Sequence, residues 1–406
     1  MTACVVCGAD TVRMFLDLGQ TALANKFLRR EELTVDEPRF PLRVGFCESC
    51  EHVQLTEIVP PSAMFEDYLY VSAASDTLRQ HLFGLSEAIV ARYPVSADGL
   101  IIDIGCNDGT LLQGFARFGA RTLGVDPARN LAALTAEQGM DRLVAFFTAA
   151  TARQIVETRG RASIVTATNT FPHIPDLYDF ARGITEVLAP GGVFVIEAHY
   201  LLDMLEQAAF DTIYHEHVSY WALGPMLRLL DEHNLEVVHV ERLPIHHGQL
   251  RVFVQRKGEG EVQPSVAATL DGERQAGIGR FETFLRFAET AQRIKTDLRQ
   301  TLDQIHASGK RVAGYGAPAK GNTLLEFLGL GPESVTYIAD RSPLKQGRFT
   351  PGSHIPVVSP ERLLDDQPDY VIILAWNFAE EIIEQLRPYR ERGGTFILPV
   401  PDVRLI

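Results

Sequence analysis

Seven consecutive residues near the middle of the chain carry a dense set of titratable groups. The segment Tyr214-His215-Glu216-His217-Val218-Ser219-Tyr220 holds two imidazoles, a carboxylate and two phenols. It could bind a metal ion, form an acid–base centre, or be a polar helix turn that happens to be rich in histidine. The zinc-protease pattern His-Glu-x-x-His is broken, because Ser219 stands where the second histidine would be. His215 and His217 lie two apart, so on a helix they would point in different directions.

A metal site is better supported at the cysteines. Four of the five cysteines form two C-x-x-C pairs about forty residues apart. Each pair suits a tight turn that directs two thiolates at one tetrahedral ion, whereas buried free thiols or two disulfides are the alternatives. We therefore predict a structural Zn²⁺ and, from metal-type thiols without a signal peptide, a cytoplasmic protein. The predicted zinc ligands are Cys4, Cys7, Cys47 and Cys50.

Composition limits the classes of function. The 406 residues are 46% hydrophobic and 22% charged, as expected for a soluble globular protein of two or three domains. No apolar stretch is long enough to span a membrane. The net charge of −14 argues against nucleic-acid binding, because no broad basic surface is available for phosphates. A local pocket could still bind one anionic small molecule.

A glycine turn after an apolar strand indicates the cofactor. Asp103, Gly105 and Gly109 follow the spacing Asp-x-Gly-x-x-x-Gly, which holds the aminoacyl part of S-adenosylmethionine (SAM) and differs from the dinucleotide pattern G-x-G-x-x-G. Asp126 ends the next strand, where a carboxylate suits the ribose hydroxyls. Leu188-Ala189-Pro190-Gly191-Gly192 precedes a further strand. We predict a methyltransferase core, with a generic doubly wound domain as the alternative.

Alternating strand and helix patterns continue along the chain. They extend from about residue 100 to 254 and resume at Lys310, which predicts two parallel α/β units. Residues 259–272 are polar and predict a loop, and apolar residues at three- and four-residue steps then predict an amphipathic helix over 278–305. His173 lies in the loop after the fourth strand, close to the expected methyl donor. A histidine that is solvated, or that caps the next helix, is the equal alternative.

The second α/β unit offers an anion site. Its first strand ends at Gly314-Tyr315-Gly316, and the following helix begins within Ala317–Thr323 and includes Lys320. A helix N-terminus with free amides, small residues and a lysine suits a diphosphate. Arg341 and Lys345 follow another strand and add two cations. A vestigial unit used only for packing is the alternative.

The two C-x-x-C pairs and five further motifs, in this order, identify a family resemblance. The further motifs are Tyr68-x-Tyr70-x-Ser72, the glycine turn at 103–110, His173–Leu177, the segment 214–220 and residues 314–323. Over essentially its whole length, the chain resembles the nucleotide-sugar C-methyltransferases of deoxysugar biosynthesis, such as those that make branched sugars on antibiotics. The resemblance implies an α/β protein with an N-terminal zinc-binding domain, a central class I SAM methyltransferase Rossmann-like domain and a C-terminal second Rossmann-like domain. The expected boundaries are 1–62, 63–256, a linker with a long helix at 257–308, and 309–406.

The resemblance also implies a reaction. Family members methylate a ring carbon next to the ketone of a 4-keto-6-deoxysugar, usually on dTDP, with C-3 favoured over C-5. That carbon is weakly acidic, so the protein must remove its proton and stabilise the enolate. His217 is the expected base, Glu216 orients or polarises its surroundings, and Tyr214 donates to the enolate oxygen or assists proton transfer. Tyr68 and His173 support the sugar.

The chain is expected to be a monomer with no nucleic-acid or membrane partner. Further residues are expected to contact SAM and the substrate. The expected SAM contacts are Asp103, Gly105, Asn107, Asp108, Gly109, Asp126, Asn169, Tyr70 and Ser72. The expected substrate contacts are Lys320, Asn322, Thr323, Arg341, Lys345 and His247. His247 belongs to Pro244–Gln249, where relatives often have a glycine pair, so the sugar pocket can differ. The alternatives are an O- or N-methyltransferase acting on a sugar or other small molecule, and a non-catalytic protein that binds zinc and SAM.

Overall fold

The computed structural model describes residues 3–68, 71–72, 76–245 and 248–406. The strands in this part of the chain form three sheets, of four, seven and six strands. None of the helices among these residues combines the length and the apolar character needed to cross a membrane.

The first sheet is antiparallel and belongs mainly to the N-terminal part. Strand β1 pairs with β2, and β2 pairs with β3. A fourth strand, contributed by the central part of the chain, completes this sheet. The elements of this part are β1 (Val12–Thr21), a 3₁₀ helix (Arg30–Thr34), β2 (Phe40–Cys47), β3 (Val53–Leu55), α1 (Ser62–Phe65) and α2 (Asp76–Arg92).

The central part forms the seven-stranded sheet, apart from one short strand. Its elements are β4 (Leu100–Ile104), α3 (Thr110–Ala116), β5 (Arg121–Val125), α4 (Ala132–Glu137), β6 (Arg142–Leu143), α5 (Ala149–Arg159), β7 (Ala162–Thr168), a 3₁₀ helix (Phe171–His173), α6 (Leu177–Val187), β8 (Leu188–His199), α7 (Leu201–Glu206), a 3₁₀ helix (Phe210–Thr212), β9 (Ser219–Tyr220), α8 (Leu223–Asp231), β10 (Leu235–Leu243) and β11 (Gln249–Arg256).

The order of the seven strands is β10-β11-β8-β7-β4-β5-β6. The five strands from β8 to β6 are parallel, and β10 and β11 are antiparallel. All five residues of β4 are buried, as expected for a central strand covered on both faces. Because the carboxyl ends of parallel strands meet at one edge, the loops after β4, β5 and β7 come together there. Strand β9 instead leaves this sheet and pairs with β3.

The C-terminal part forms the six-stranded sheet, in the order β14-β13-β12-β15-β16-β17, with only the last pair antiparallel. Its elements are α9 (Pro264–Ala276), α10 (Phe281–Ala307), β12 (Val312–Tyr315), α11 (Ala319–Leu328), β13 (Ile338–Ala339), β14 (Val357–Val358), α12 (Glu361–Asp366), β15 (Tyr370–Ile373), a 3₁₀ helix (Trp376–Phe378), α13 (Ala379–Gln385), α14 (Arg387–Glu391), β16 (Thr395–Leu398) and β17 (Arg404–Leu405).

The polar composition of residues 259–272 did not indicate their secondary structure. The loop predicted for residues 259–272 is wrong, because most of that segment belongs to α9. Pro264 occupies the first turn of α9, where a proline needs no hydrogen-bond partner. The carboxylate of Glu273 is buried and accepts the backbone N–H groups of Leu223 and Gly224 at 2.6 and 3.2 Å. A charged residue of α9 thus caps the start of α8.

Apolar contacts join the three parts. A single buried cluster contains residues of all three sheets and of α10. The rings of Phe15 and Phe284 lie 5.0 Å apart, and those of Phe210 and Phe327 lie 5.4 Å apart. The first pair joins β1 to α10, and the second joins the central part to α11. The long amphipathic helix therefore has the role that its periodicity predicted.

Candidate active site

One cavity of about 660 Å³ lies where the three parts meet. The loops after β4, β5 and β7 form its cofactor side, and the segment around residue 214 and the start of α11 form other walls. Predicted site residues in its lining are Tyr68, Ser72, Asp103, Gly105, Asn107, Asp108, Asp126, Asn169, His173, Tyr214, His217, Lys320 and Lys345. The structure thus brings most of the predicted residues together.

The ring of His217 is held in one orientation. Its Nδ1 lies 2.8 Å from the carbonyl oxygen of Thr212. A carbonyl oxygen can only accept a hydrogen bond, so Nδ1 carries the proton and Nε2 keeps its lone pair. Burial, reinforced by the nearby His173, lowers the pKa of His217 to about 3. The ring is therefore neutral near pH 7, with Nε2 able to accept a proton.

Other aromatic side chains surround this imidazole. Its ring centroid lies 4.0 Å from that of Tyr214, 5.0 Å from His199 and 5.3 Å from His173. Burial also lowers the pKa of His173 to about 3, and Phe65 stacks on its ring at 5.2 Å. His199 was not among the predicted residues, although it ends β8 at the same sheet edge as His173. This position at the end of β8 was the feature of the sequence from which a site role for His199 could have been predicted.

Glu216 lies behind the cavity wall and contacts two residues that line it. Its carboxylate accepts hydrogen bonds from the Asn25 amide and the Tyr68 hydroxyl, each at 2.8 Å. Burial raises the pKa of Glu216 to about 7, while those two bonds and the attraction of Lys345 act in the opposite direction. Glu216 therefore fixes the position of the Tyr68 phenol.

His215 faces away from the cavity. Its Nε2 lies 3.3 Å from the carbonyl oxygen of Pro41, and its ring meets Phe40 edge-on at 5.8 Å. Only 1% of His215 is exposed. The two histidines of the segment thus point in different directions, and His215 packs against the N-terminal sheet.

The glycine turn after β4 has the geometry expected of a close approach to a ligand. Gly105 has φ of +74°, and a Cβ at this position would lie 2.0 Å from Thr170 Oγ1. Gly109, with φ of +79°, precedes α3. Burial raises the pKa of Asp103 to about 7, although Thr166 donates a 2.7 Å hydrogen bond to its carboxylate.

Asp126 is held by three donors. Its carboxylate accepts the backbone N–H of Asn107 at 2.9 Å, that of Ala128 at 2.8 Å and the Arg142 guanidinium at 2.9 Å. Three of its four lone-pair positions are thereby used. Arg142 also donates to the Asn107 carbonyl at 2.7 Å and is almost fully buried. The sequence analysis missed Arg142, which starts the two-residue strand β6 next to β5.

The remaining predicted cofactor contacts are also ordered by hydrogen bonds. The Asn107 side chain accepts the backbone N–H of Ser72 at 3.0 Å. The Asp108 carboxylate accepts the backbone N–H of Thr110, the first residue of α3, at 3.1 Å. Asn169 has φ of +56°, and its side-chain oxygen accepts a 2.5 Å hydrogen bond from Gln249. Tyr70, the other predicted contact, lies outside the described residues.

The predicted substrate contacts divide into two groups. Lys320 and Lys345 line the cavity, and Lys345 donates a 2.7 Å hydrogen bond to the Ala317 carbonyl. Asn322, Thr323 and Arg341 do not belong to the lining. Asn322 donates to the Ala24 carbonyl at 2.6 Å, Thr323 is buried, and Arg341 is exposed. His247 lies outside the described residues.

The four predicted zinc ligands form one cluster. Their Sγ atoms all lie within 4.8 Å of one another, with Cys4 and Cys50 at 3.5 Å and Cys7 and Cys47 at 3.6 Å. Tetrahedral Zn²⁺ with Zn–S bonds of about 2.3 Å requires S–S separations of about 3.8 Å, so the thiols fit this ion. All four are free cysteines. Among the residues that the structure describes, no other group of three or more possible ligands has metal-site spacing.

Comparisons with known proteins agree with this organisation. Three family models match in order: a putative zinc binding domain at residues 4–65, a methyltransferase domain at 78–240 and a C-methyltransferase C-terminal domain at 244–401. The C-methyltransferase NovU of Streptomyces niveus is 39% identical over 404 residues, which cover 99% of this chain and 96% of NovU.

Other similarities are confined to part of the chain. A ubiquinone biosynthesis O-methyltransferase of Rhodopseudomonas palustris strain BisB18 is 35% identical over 97 residues, or 24% of this chain and 38% of that protein. A solved SAM-dependent methyltransferase from Anabaena variabilis covers half of this chain and all of its own, at 14% identity and a TM-score of 0.35. That score is too low to bear on substrate or reaction.

Proposed function

The chain belongs to the family of SAM-dependent C-methyltransferases with an N-terminal zinc-binding domain, and we propose that it methylates a nucleotide-linked 4-keto-6-deoxysugar. Its cofactors are SAM and Zn²⁺ bound by four cysteines. The new bond forms at the ring carbon beside the ketone, with C-3 preferred to C-5. The chain acts as a cytoplasmic monomer, in keeping with a reduced cysteine cluster.

The orientation of His217 is the observation that carries this proposal. Its Nε2 can accept a proton, because Nδ1–H donates to the Thr212 carbonyl oxygen at 2.8 Å. SAM supplies an electrophilic methyl group when bound, so the acceptor carbon needs only to lose a proton. His217 would take that proton at Nε2; the methyl group that bound SAM would supply is then transferred to the deprotonated carbon as its bond to sulfur breaks, which leaves S-adenosylhomocysteine.

Stabilisation of the enolate matters more than the strength of the base. A histidine whose pKa is near 3 takes a proton from a carbon acid slowly unless the developing oxyanion is stabilised. The phenol of Tyr214, whose ring lies 4.0 Å from that of His217, is our candidate donor to this oxygen. The imidazole of His173 and the Tyr68 phenol support the sugar.

The nucleotide end of the acceptor lies toward the C-terminal part. Lys320 and Lys345 bring two ammonium groups to the cavity, and Lys320 is in the first turn of α11. Free amides at a helix start and nearby cations favour a diphosphate. In this arrangement the sugar lies between His217 and the cofactor loops, and its diphosphate reaches α11.

Methyl transfer to defined acceptors tests the proposed function. The enzyme is incubated with isotopically labelled SAM and a panel of dTDP-linked 4-keto-6-deoxysugars, and NMR locates the new methyl group. A C–CH₃ signal beside the ketone is expected. A methyl group on oxygen or nitrogen would instead show that the chain is an O- or N-methyltransferase. Tight cofactor binding without transfer to any acceptor would indicate a non-catalytic protein.

Proton exchange separates carbon-acid chemistry from direct transfer. In ²H₂O, the ring proton beside the ketone should exchange in the presence of the enzyme. Loss of this exchange in His217→Asn, with cofactor binding retained, would support the assignment of the base. Unchanged exchange in that variant would show that a group other than His217 removes the ring proton.

A further inference from the structure

A buried carboxylate, an indole and an ammonium group form a connected set beside the cavity. The indole N–H of Trp376 donates a 2.6 Å hydrogen bond to Asp211, and the Lys320 Nζ lies 3.9 Å from the centroid of the Trp376 ring. Asp211 comes from the central part of the chain, whereas Trp376 and Lys320 come from the C-terminal part. None of the chemical steps above uses Asp211 or Trp376.

Burial makes the two charges depend on each other. Asp211 is fully buried, and Lys320 is 8% exposed at the cavity wall. Burial raises the pKa of Asp211 and lowers the pKa of Lys320, while their mutual attraction opposes both shifts. Asp211 Oδ1 accepts no hydrogen bond from any residue that the structure describes. The attraction of Lys320 therefore adds to the indole hydrogen bond in compensating this carboxylate.

The indole connects these charges physically. An aromatic face attracts a cation, and an indole whose N–H donates to a carboxylate becomes more electron-rich at that face. Trp376 is thus polarised toward Lys320 by Asp211. Without the carboxylate, a lysine this deeply buried would favour its neutral form or turn away from the wall.

We propose that Asp211 is a positioning residue that acts through Trp376 to hold the Lys320 ammonium group at the cavity wall, where it receives the diphosphate of the acceptor. This inference rests on the proposed function, since it requires an acceptor that carries a diphosphate. The residue after Asp211 is Thr212, whose carbonyl orients His217. One turn of the chain therefore sets both the proton acceptor for the sugar and the cation for the diphosphate.

Binding of dTDP to the full chain tests this assignment without requiring turnover. Asp211→Asn keeps an acceptor for the indole N–H but removes the charge, and Trp376→Phe keeps an aromatic face but removes the N–H. Each should weaken dTDP binding by about tenfold in calorimetry. Binding of S-adenosylhomocysteine should stay within about twofold of the wild type, because neither residue belongs to the cavity lining.

Two lysine variants provide the comparison. Lys320→Met should lose dTDP affinity, and adding Asp211→Asn to it should cause little further loss, because the carboxylate acts through that lysine. Lys295→Met is the matched control, since Lys295 also lies over an aromatic ring, that of Phe327 at 4.3 Å, but outside the cavity. It should leave dTDP binding unchanged.

The outcomes distinguish this inference from the proposed function. If wild-type protein binds no dTDP, the proposed acceptor class is wrong and the role of Asp211 is overturned with it. If wild type binds dTDP and Lys320→Met does not, but Asp211→Asn and Trp376→Phe bind normally, only the positioning role is overturned. Should Asp211→Asn fail to fold, Trp376→Phe decides the matter alone.

Discussion

The imidazole of His52 lies 3.1 Å from the hydroxyl of Ser219, and this contact joins the zinc cluster to the active-site segment. His52 is two residues beyond Cys50, and Ser219 is two residues beyond His217. The ladder between β3 and β9 extends the connection, with Val53 opposite Tyr220. The N-terminal domain thus positions the segment that carries the proposed base.

Loss of the metal should therefore affect more than stability. Cys47→Ser combined with Cys50→Ser should abolish zinc binding, lower the unfolding free energy by about 3 kcal/mol or more and reduce kcat, because the hairpin that holds β9 loosens. Metal content by mass spectrometry and thermal unfolding measure the first two effects.

A local probe is available for the same variant. Trp221 lies 4.7 Å from His52, so its fluorescence should change when the cluster opens. Trp376→Phe provides a background in which Trp221 is the single tryptophan of the chain. Wild-type activity of the metal-free protein with Trp376 in place, together with unchanged Trp221 emission in the Trp376→Phe background, would contradict the link.

The two histidines of the central segment should differ sharply in function. His217→Asn should reduce kcat by about 10²- to 10⁴-fold, the usual contribution of a general base. His215→Asn is the matched control, because His215 contacts Pro41 outside the cavity lining. It should reduce stability while kcat stays within about threefold. Equal losses of kcat in both variants would argue that His217 is only structural.

The stability of His217→Asn should depend on pH differently from that of the wild type. Folding lowers the pKa of His217 from 6.5 to about 3, so between these pH values the unfolded chain binds a proton that the folded chain excludes. The unfolding free energy of the wild type therefore falls as pH drops below 6.5. The variant lacks this contribution, because asparagine does not bind the proton.

The difference in unfolding free energy should thus shift by about 2 kcal/mol in favour of His217→Asn between pH 7.5 and pH 5. Denaturant unfolding at the two pH values measures it. Parallel changes in both proteins would mean that the folded state accepts the proton, and NMR titration of the His217 ring would then show an ordinary pKa.

Local patterns predicted much of this site because strand ends and short spacings determine it. Asp103 and Asp126 each end a parallel strand, so their proximity follows from the sheet. The two C-x-x-C pairs likewise form one cluster, with Cys4 and Cys50 at 3.5 Å. In the first case the parallel pairing of β4 with β5 brings the side chains together, and in the second the four thiols share the geometry of one tetrahedral ion.

Contacts between domains were not predictable in this way. Asn25 binds Glu216 across 191 residues, and no local spacing encodes that pairing. Lys345 and Arg341 follow the same strand, yet packing of the C-terminal part brings only Lys345 to the cavity. The polar composition of residues 259–272 also failed to predict α9, because the burial of Glu273 depends on the position of α8.

Arg142 should control cofactor affinity through Asp126. Arg142→Met removes the guanidinium that holds the carboxylate and leaves a buried acid, so affinity for S-adenosylhomocysteine should fall by about tenfold. Arg159→Met is a suitable control, because Arg159 pairs with Asp141 at the surface. Calorimetry on both variants measures the effect, and equal affinities would show that Asp126 needs no guanidinium partner.

Gly105 should tolerate no side chain. In Gly105→Ala the new Cβ would lie 2.0 Å from Thr170 Oγ1, and the residue would keep a φ of +74°. Gly191→Ala isolates the backbone cost, since Gly191 has φ of +70° and no atom of a described residue lies within 4 Å of its Cβ position. We expect a loss of about 1 kcal/mol for Gly191→Ala, from backbone strain alone.

The loss for Gly105→Ala should be larger by about 2 kcal/mol or more, because the overlap forces Thr170 and the cofactor loop apart. S-adenosylhomocysteine binding should be lost in this variant and retained in Gly191→Ala. Adding Thr170→Ala should recover part of the stability, since it removes the nearest atom but leaves a Cβ 2.9 Å away. Similar unfolding free energies for the two glycine variants would mean that the turn yields to the methyl group, and that close packing there is not what excludes a side chain.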